Sequence, residues 1–120
     1  MKVAVSSKGK TLDSELDARF GRAACFIMVD LSTMSYEAVE NTQNLNAVQG
    51  AGIQAARTVA DHGAGVVITG NCGPKAFAVL NQAGIQVITG VSGKVVDVVE
   101  QYKKGELSPT DAPNVNGHWM

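Results

Sequence analysis

Cations and backbone N–H groups are the parts of this chain best placed to do chemistry. The side chains that usually carry catalysis or hold metals are few and scattered. There are two cysteines, Cys25 and Cys72, and two histidines, His62 and His118, with no close-spaced metal pattern among them. Two thiols cannot fill a four-cysteine iron–sulfur or zinc site within one chain. A cluster bound here must therefore use other ligands, bridge two chains, or be held without protein–metal bonds. Asp13, Glu15 and Asp17 alternate along the chain, a spacing typical of solvated loop charges. Cys72 with His62 or His118 would make a nucleophile–base pair, but only a helix N-terminus is at hand to activate that thiol. His62 falls at a helix end, where its role is structural. Against this thin catalytic set stand Lys8, Lys10, Arg19, Arg22 and Lys75, spaced around three glycine-bearing loops. This is the inventory of a protein that binds an anion rather than one that catalyses, so no enzyme activity is expected.

The central loop runs Gly70-Asn71-Cys72-Gly73-Pro74-Lys75. Before it, Val66, Val67, Ile68 and Thr69 form an apolar, β-branched run of the kind buried inside a parallel sheet. Gly70 and Gly73 permit a tight turn and a close backbone approach. Pro74 stands where a helix tolerates proline best, at its first position. Strand, glycine loop and helix start together present free N–H groups to an anion. Residues 50–55 (GAGIQA) match a dinucleotide fingerprint in letters only, since they follow a polar loop rather than a strand and the next strand lacks the acid for a ribose.

Those loops need a sheet to position them. Residues 2–6 (KVAVS), 25–30 (CFIMVD) and 36–40 (YEAVE) read as three strands, and their short connections favour antiparallel neighbours. Leu12, Leu16 and Phe20 fall at helical spacing and suggest a turn or short helix. A polar loop over residues 41–49 leads into a helix over 51–62, with Ile53, Ala56, Val59 and Ala60 on its apolar face. After the central strand, Phe77, Leu80 and Ala83 give the next helix its buried side, and Gly84 stops it. A fifth strand covers residues 85–89. Val95, Val98, Val99 and Tyr102 then sit at i, i+3, i+4 and i+7, which predicts a helix despite the valines, with Ser92 as its cap. The order β-β-β-α-β-α-β-α predicts one α/β domain over residues 1–107 whose first, fourth and fifth strands are parallel, followed by an extended tail over 108–120. Loops at the carboxyl ends of parallel strands collect ligands, here residues 6–10, 70–73 and 90–93.

Composition narrows the class. At 120 residues, 45% hydrophobic and 18% charged, the chain is the size and balance of one globular domain. A net charge of −1 excludes a general nucleic-acid binder, which needs a basic face. No apolar run is long enough to span a bilayer, and the N-terminus lacks the apolar core of a signal peptide, so a cytoplasmic location is expected and a disulfide is not.

The quoted motifs converge on a family. Arg19-Phe20-Gly21-Arg22-Ala23, the GAGIQAA run at 50–56, the stretch from Val67 to Phe77, and Ala83-Gly84-Ile85 together resemble the dinitrogenase iron–molybdenum cofactor biosynthesis family, which takes in NifX and the C-terminal part of NifB. The resemblance covers residues 1–107. It implies a three-layer ribonuclease H-like fold, with a five-stranded mixed sheet ordered 3-2-1-4-5 and strand 2 antiparallel. It implies a carrier of a metal–sulfur cofactor precursor, held non-covalently and passed to protein partners. Among small members the chain looks most like those that carry a molybdenum–copper sulfide cluster. The cofactor-binding residues so implied are Ser6, Lys8, Lys10, Arg19, Gly21, Arg22, Gly70, Asn71, Cys72, Gly73, Lys75 and Gly90, with Cys72 the one candidate metal ligand. Many relatives place a histidine before the motif's phenylalanine and another near the GAG segment; this chain has Arg19 and Gln49. That departure favours charge recognition of an anionic thiometallate over histidine ligation. His118 and Trp119 would serve as a lid if the tail folded back. The other classes open to such loops are a small enzyme acting on a phosphorylated metabolite and a scaffold module that binds a protein.

Overall fold

A computed structural model of the chain describes residues 1–43, 46, 50–110, 112 and 113. Strands β1 (Lys2–Ser7), β2 (Cys25–Asp30) and β3 (Tyr36–Glu40) come first. Helix α1 (Ala51–Asp61), strand β4 (Ala64–Ile68), helix α2 (Pro74–Gln82), strand β5 (Gln86–Ile88) and helix α3 (Val95–Lys103) follow. The sheet order is β3-β2-β1-β4-β5. β2 runs antiparallel to both β1 and β3, while β1, β4 and β5 are parallel. This is the ordering predicted above, with strand 2 antiparallel.

Period-two alternation splits the apolar residues into two layers. Val3, Val5, Ile27, Val29, Val66 and Ile68 face α3, whose Val95, Val98 and Val99 are buried against them. Ala4, Phe26, Met28 and Val67 face the other way, onto Ala55, Ala56 and Val59 of α1 and Ala76, Phe77 and Leu80 of α2. The three central strands are buried on both faces, so their sequences carry almost no outward polar positions. Three layers result, α1 and α2 over one face and α3 under the other.

Several local expectations change. Leu12, Leu16 and Phe20 lie in an irregular segment, not a helix: isolated bridges Ser7↔Leu16, Glu15↔Lys94 and Arg19↔Asn71 tie it down. Leu16 is buried on the α3 side and Phe20 on the α1/α2 side. One helical stripe could not deliver side chains to both faces of a sheet, so the segment crosses the sheet's end in extended steps. Ser92 does not cap α3; the cap position is Lys94, without a side-chain hydrogen bond. Ala83 is exposed at the C-cap of α2 rather than on its buried side. Past Leu107 the chain stays hydrogen-bonded as far as Thr110, whose N–H donates to Val87 O at 2.7 Å on the outer edge of β5. His118, Trp119 and Gln49 lie outside the described residues.

Candidate functional site

Because β2 is antiparallel, its start lies beside the end of β1 (Ser7↔Cys25), and the end of β3 lies beside the start of β2 (Cys25↔Glu40). One edge of the sheet therefore gathers the chain after β1, before β2, and after β3, β4 and β5. The predicted loops do meet, and backbone hydrogen bonds knit them. Asn71 N–H donates to Ala18 O at 2.6 Å and Phe20 N–H to Asn71 O at 3.2 Å, laying the arginine-bearing segment along the loop after β4. Gly90 N–H donates to Gly70 O at 2.9 Å, which joins that loop to the one after β5.

Several candidates are tied into the fold itself. Ser6 is fully buried; its hydroxyl donates to Asp17 O at 2.7 Å and lies 2.7 Å from Thr69 Oγ1. Gly70 is glycine because of this chain's own backbone: a Cβ there would lie 2.8 Å from Ala18 Cα and 2.9 Å from its carbonyl. Gly90 adopts φ +77°, a left-handed conformation that a side chain would strain. Gly21 is buried, and its carbonyl accepts from Asn41 Nδ2 at 3.1 Å and Gln43 Nε2 at 2.8 Å. Gly73 is buried at the N-cap of α2. Phe20 anchors the motif from below, its ring 5.2 Å from that of Phe26.

Cys72 is wholly buried among the α1/α2 core residues, and burial pushes its thiol up from an ordinary 9.0 to about 12. A metal–sulfur bond there would have to draw the side chain out of that core. Cys25, on the opposite face, is also buried; desolvation raises its pKa and its thiol donates to Gly9 O at 3.0 Å. It borders a cavity of about 320 Å³ lined also by Lys8, Lys10, Glu40, Asn41 and Thr42. His62 caps the C-terminus of α1, its Nδ1 2.8 Å from Thr58 O. It precedes β4 while Cys72 follows it, so the length of that strand keeps the two apart.

The exposed candidates are Lys8, Lys10, Arg19, Arg22, Lys75 and, among the glycines, Gly90; Asn71 is half-buried. Lys10 pairs with Glu40 at 3.0 Å, Lys8 with Glu15 at 3.7 Å, and Arg19 Nε approaches Asp17 Oδ1 at 3.6 Å. Lys75, in the first turn of α2, forms no ion pair among the described residues. No group of three or more His, Cys, Asp or Glu able to hold a metal ion occurs among those residues.

The two helix starts at this edge differ. In α3, Val95 N–H donates to Ser14 O and Val96 N–H to Leu12 O, each at 2.9 Å, so the chain's own carbonyls take the first two N–H groups of that helix. In α2, the cap position is Gly73, which has no side chain to cap the helix, and Pro74 follows. Among the described residues the Lys75 and Ala76 N–H groups meet no acceptor. Of these groups Lys75 N–H is the exposed one on α2, while the first two N–H groups of α3 are already taken, so α2 is the end better placed to meet an anion.

Sequence reading overlooked Asn41 and Gln43. Asn41 Nδ2 donates to Gly21 O and Ala23 O, and Gln43 Nε2 to Gly21 O and Ala51 O, fixing the arginine turn to the start of α1. Their signal was present: amides just after a strand end are habitual loop-bracing donors. Thr110 was missed as well.

Comparison with known proteins agrees with this geometry. The family described as "Dinitrogenase iron-molybdenum cofactor" matches residues 1–105. The apo form of the orange protein from Desulfovibrio gigas superposes with a TM-score of 0.90 at 43% identity, over 95% of this chain and 96% of that one. A putative NifB protein from Thermotoga gives 0.81 at 30% identity, over 97% and 98%. An uncharacterized protein of Methanocaldococcus jannaschii is 30% identical over 98 residues, 79% of this chain and 82% of the relative.

Proposed function

The chain belongs to the dinitrogenase iron–molybdenum cofactor family, and on that premise we propose that it is a small carrier of an anionic metal–sulfur cluster, seated on the loop edge of the sheet. The observation that carries the reading is the α2 start: the exposed Lys75, whose N–H has no acceptor among the described residues, at the edge where Arg19 runs beside Asn71. Cations and amides at such a place hold a polyanion by charge and by hydrogen bonds to its sulfur atoms. The described residues offer no ligand cluster that would bind a bare metal ion instead. The cargo is then a preformed thiometallate rather than a metal assembled in place. The finer assignment we make is a molybdenum-containing sulfide, with copper as its second metal, held without protein–metal bonds. A carrier of this kind works in the cytoplasm and hands its cargo to a protein partner; among the described residues no helix is long and apolar enough to cross a membrane.

Anaerobic titration of the protein with tetrathiomolybdate, alone and with copper(I), tests the reading, with inorganic phosphate as the competing anion. The expected result is coloured protein carrying molybdenum and copper in fixed ratio, with retention that falls as salt rises. Colourless protein that binds phosphate at the same loops would replace the carrier with an enzyme of phosphorylated metabolites.

A further inference from the structure

The outer edge of β5 is covered by the chain's own residues just beyond α3. Leu107 packs into the core beneath α3, and the backbone then reaches the sheet edge at Thr110. Thr110 holds β5 at three points: its N–H donates to Val87 O at 2.7 Å, its hydroxyl oxygen accepts from Thr89 N–H at 3.0 Å, and the two threonine hydroxyls meet at 2.9 Å. Covering an edge strand guards against wrong pairing, and a backbone contact to Val87 would be enough for that. The two side-chain contacts fall one step further on, at the residue immediately before Gly90.

The alternation of backbone groups gives those contacts a consequence. Val87 and Thr89 turn their polar groups outward to Thr110. Ile88 O and Gly90 N–H turn inward, to Thr69 N–H at 3.0 Å and Gly70 O at 2.9 Å. Thr89 is thus clamped from outside while both its neighbours are bonded to β4 and the loop after it. Gly90, at φ +77° and with open space where a Cβ would be, has no side chain of its own to fix the turn.

We infer that Thr110 is a positioning residue for the candidate site: through Thr89 it holds the Gly90–Gly70 joint, and so sets the shape of the loop that leads into α2. Given a cargo seated on that loop, as the carrier reading has it, Thr110 tunes its affinity through Thr89 and Gly90.

The test uses the full chain and two variants, Thr110→Val, which keeps the shape and removes the hydroxyl, and Thr110→Ser, which keeps the hydroxyl. Amide hydrogen exchange at Thr89 and Gly90 is measured without cargo, and affinity for tetrathiomolybdate separately. Thr110→Val is expected to speed exchange at both amides about tenfold and weaken thiomolybdate binding about fivefold, while Thr110→Ser stays near wild type. Faster exchange at Thr89 with Gly90 unchanged would overturn the inference and leave Thr110 an edge cover only. Unchanged affinity in a Thr110→Val protein with a loosened Gly90 would overturn it too. Should the valine variant fail to fold, Thr110→Ala is judged on the same readouts. Wild-type protein that binds no thiomolybdate would end the carrier reading, and the Gly90 exchange alone would then decide the positioning claim.

Discussion

The N-termini of α2 and α3 lie on the same edge of the sheet, follow glycine loops of similar length, and point the same dipole outward, yet the molecule treats them differently. At the start of α3 the carbonyls of Ser14 and Leu12 take the first two N–H groups. The start of α2 opens with Gly73-Pro74, takes no side-chain cap, and carries Lys75 exposed in its first turn. The irregular segment after β1 makes the difference, since it packs over one helix start and merely borders the other through Arg19 and Asn71. Similar sequence signals thus yield one structural joint and one candidate binding end.

Perturbing the α2 side should cost most where backbone meets backbone. Gly70→Ala places a Cβ within 2.9 Å of Ala18 backbone atoms, so one backbone segment must shift. A loss of about 3 kcal/mol in unfolding free energy is expected, read by denaturant melts. A loss below about 0.5 kcal/mol would show that the two loops are not tightly joined.

Cys72 supplies the next effect. An unfolded thiol loses its proton near 9, whereas the folded one does so only at about 12. Rising pH therefore favours the unfolded state across that window, and stability fully present below pH 9 is progressively lost above it. Cys72→Ala lacks this loss, so the stability gap between wild type and variant should shift by about 2 kcal/mol in the variant's favour between pH 8 and pH 10.5. A constant gap would mean that the thiol is not in the core, which reopens it as a ligand.

Charge effects come third. Arg22→Ala and Lys75→Ala should each weaken thiomolybdate binding about tenfold at low salt, with stability nearly unchanged. Lys94→Ala, at the start of α3, should change affinity less than twofold. Equal losses at Lys75 and Lys94 would erase the distinction between the two ends.

How much of this could be read in advance follows the range of the interactions. The strands were legible because residues such as Val3 and Val5, or Phe26 and Met28, alternate between two faces that both need filling, and their order followed from the family resemblance together with the sequence of elements. Helix α3 was legible from the spacing of its valines, since a buried stripe is a local property. Over residues 12–20, read as a turn or short helix, the helix fails because Leu16 and Phe20 share helical spacing but are buried on opposite sides of the sheet, a choice made by distant partners. The bonds at the start of α3 were invisible for the same reason: those from Val95 and Val96 join residues some eighty positions away. The meeting of the loops was legible from topology, but what each glycine packs against was not. Gly70 faces Ala18, a contact that no sequence motif announces.

The most direct test is an amide-resolved titration of the full chain with tetrathiomolybdate and copper(I), under reducing, anaerobic conditions. The largest shifts are expected at Asn71, Lys75 and Ala76 and at Arg19 to Arg22, with Val95 and Val96 nearly still. Shifts centred on Val95 and Val96, or confined to the far end of α3 near residues 103–107, would contradict that placement of the cargo.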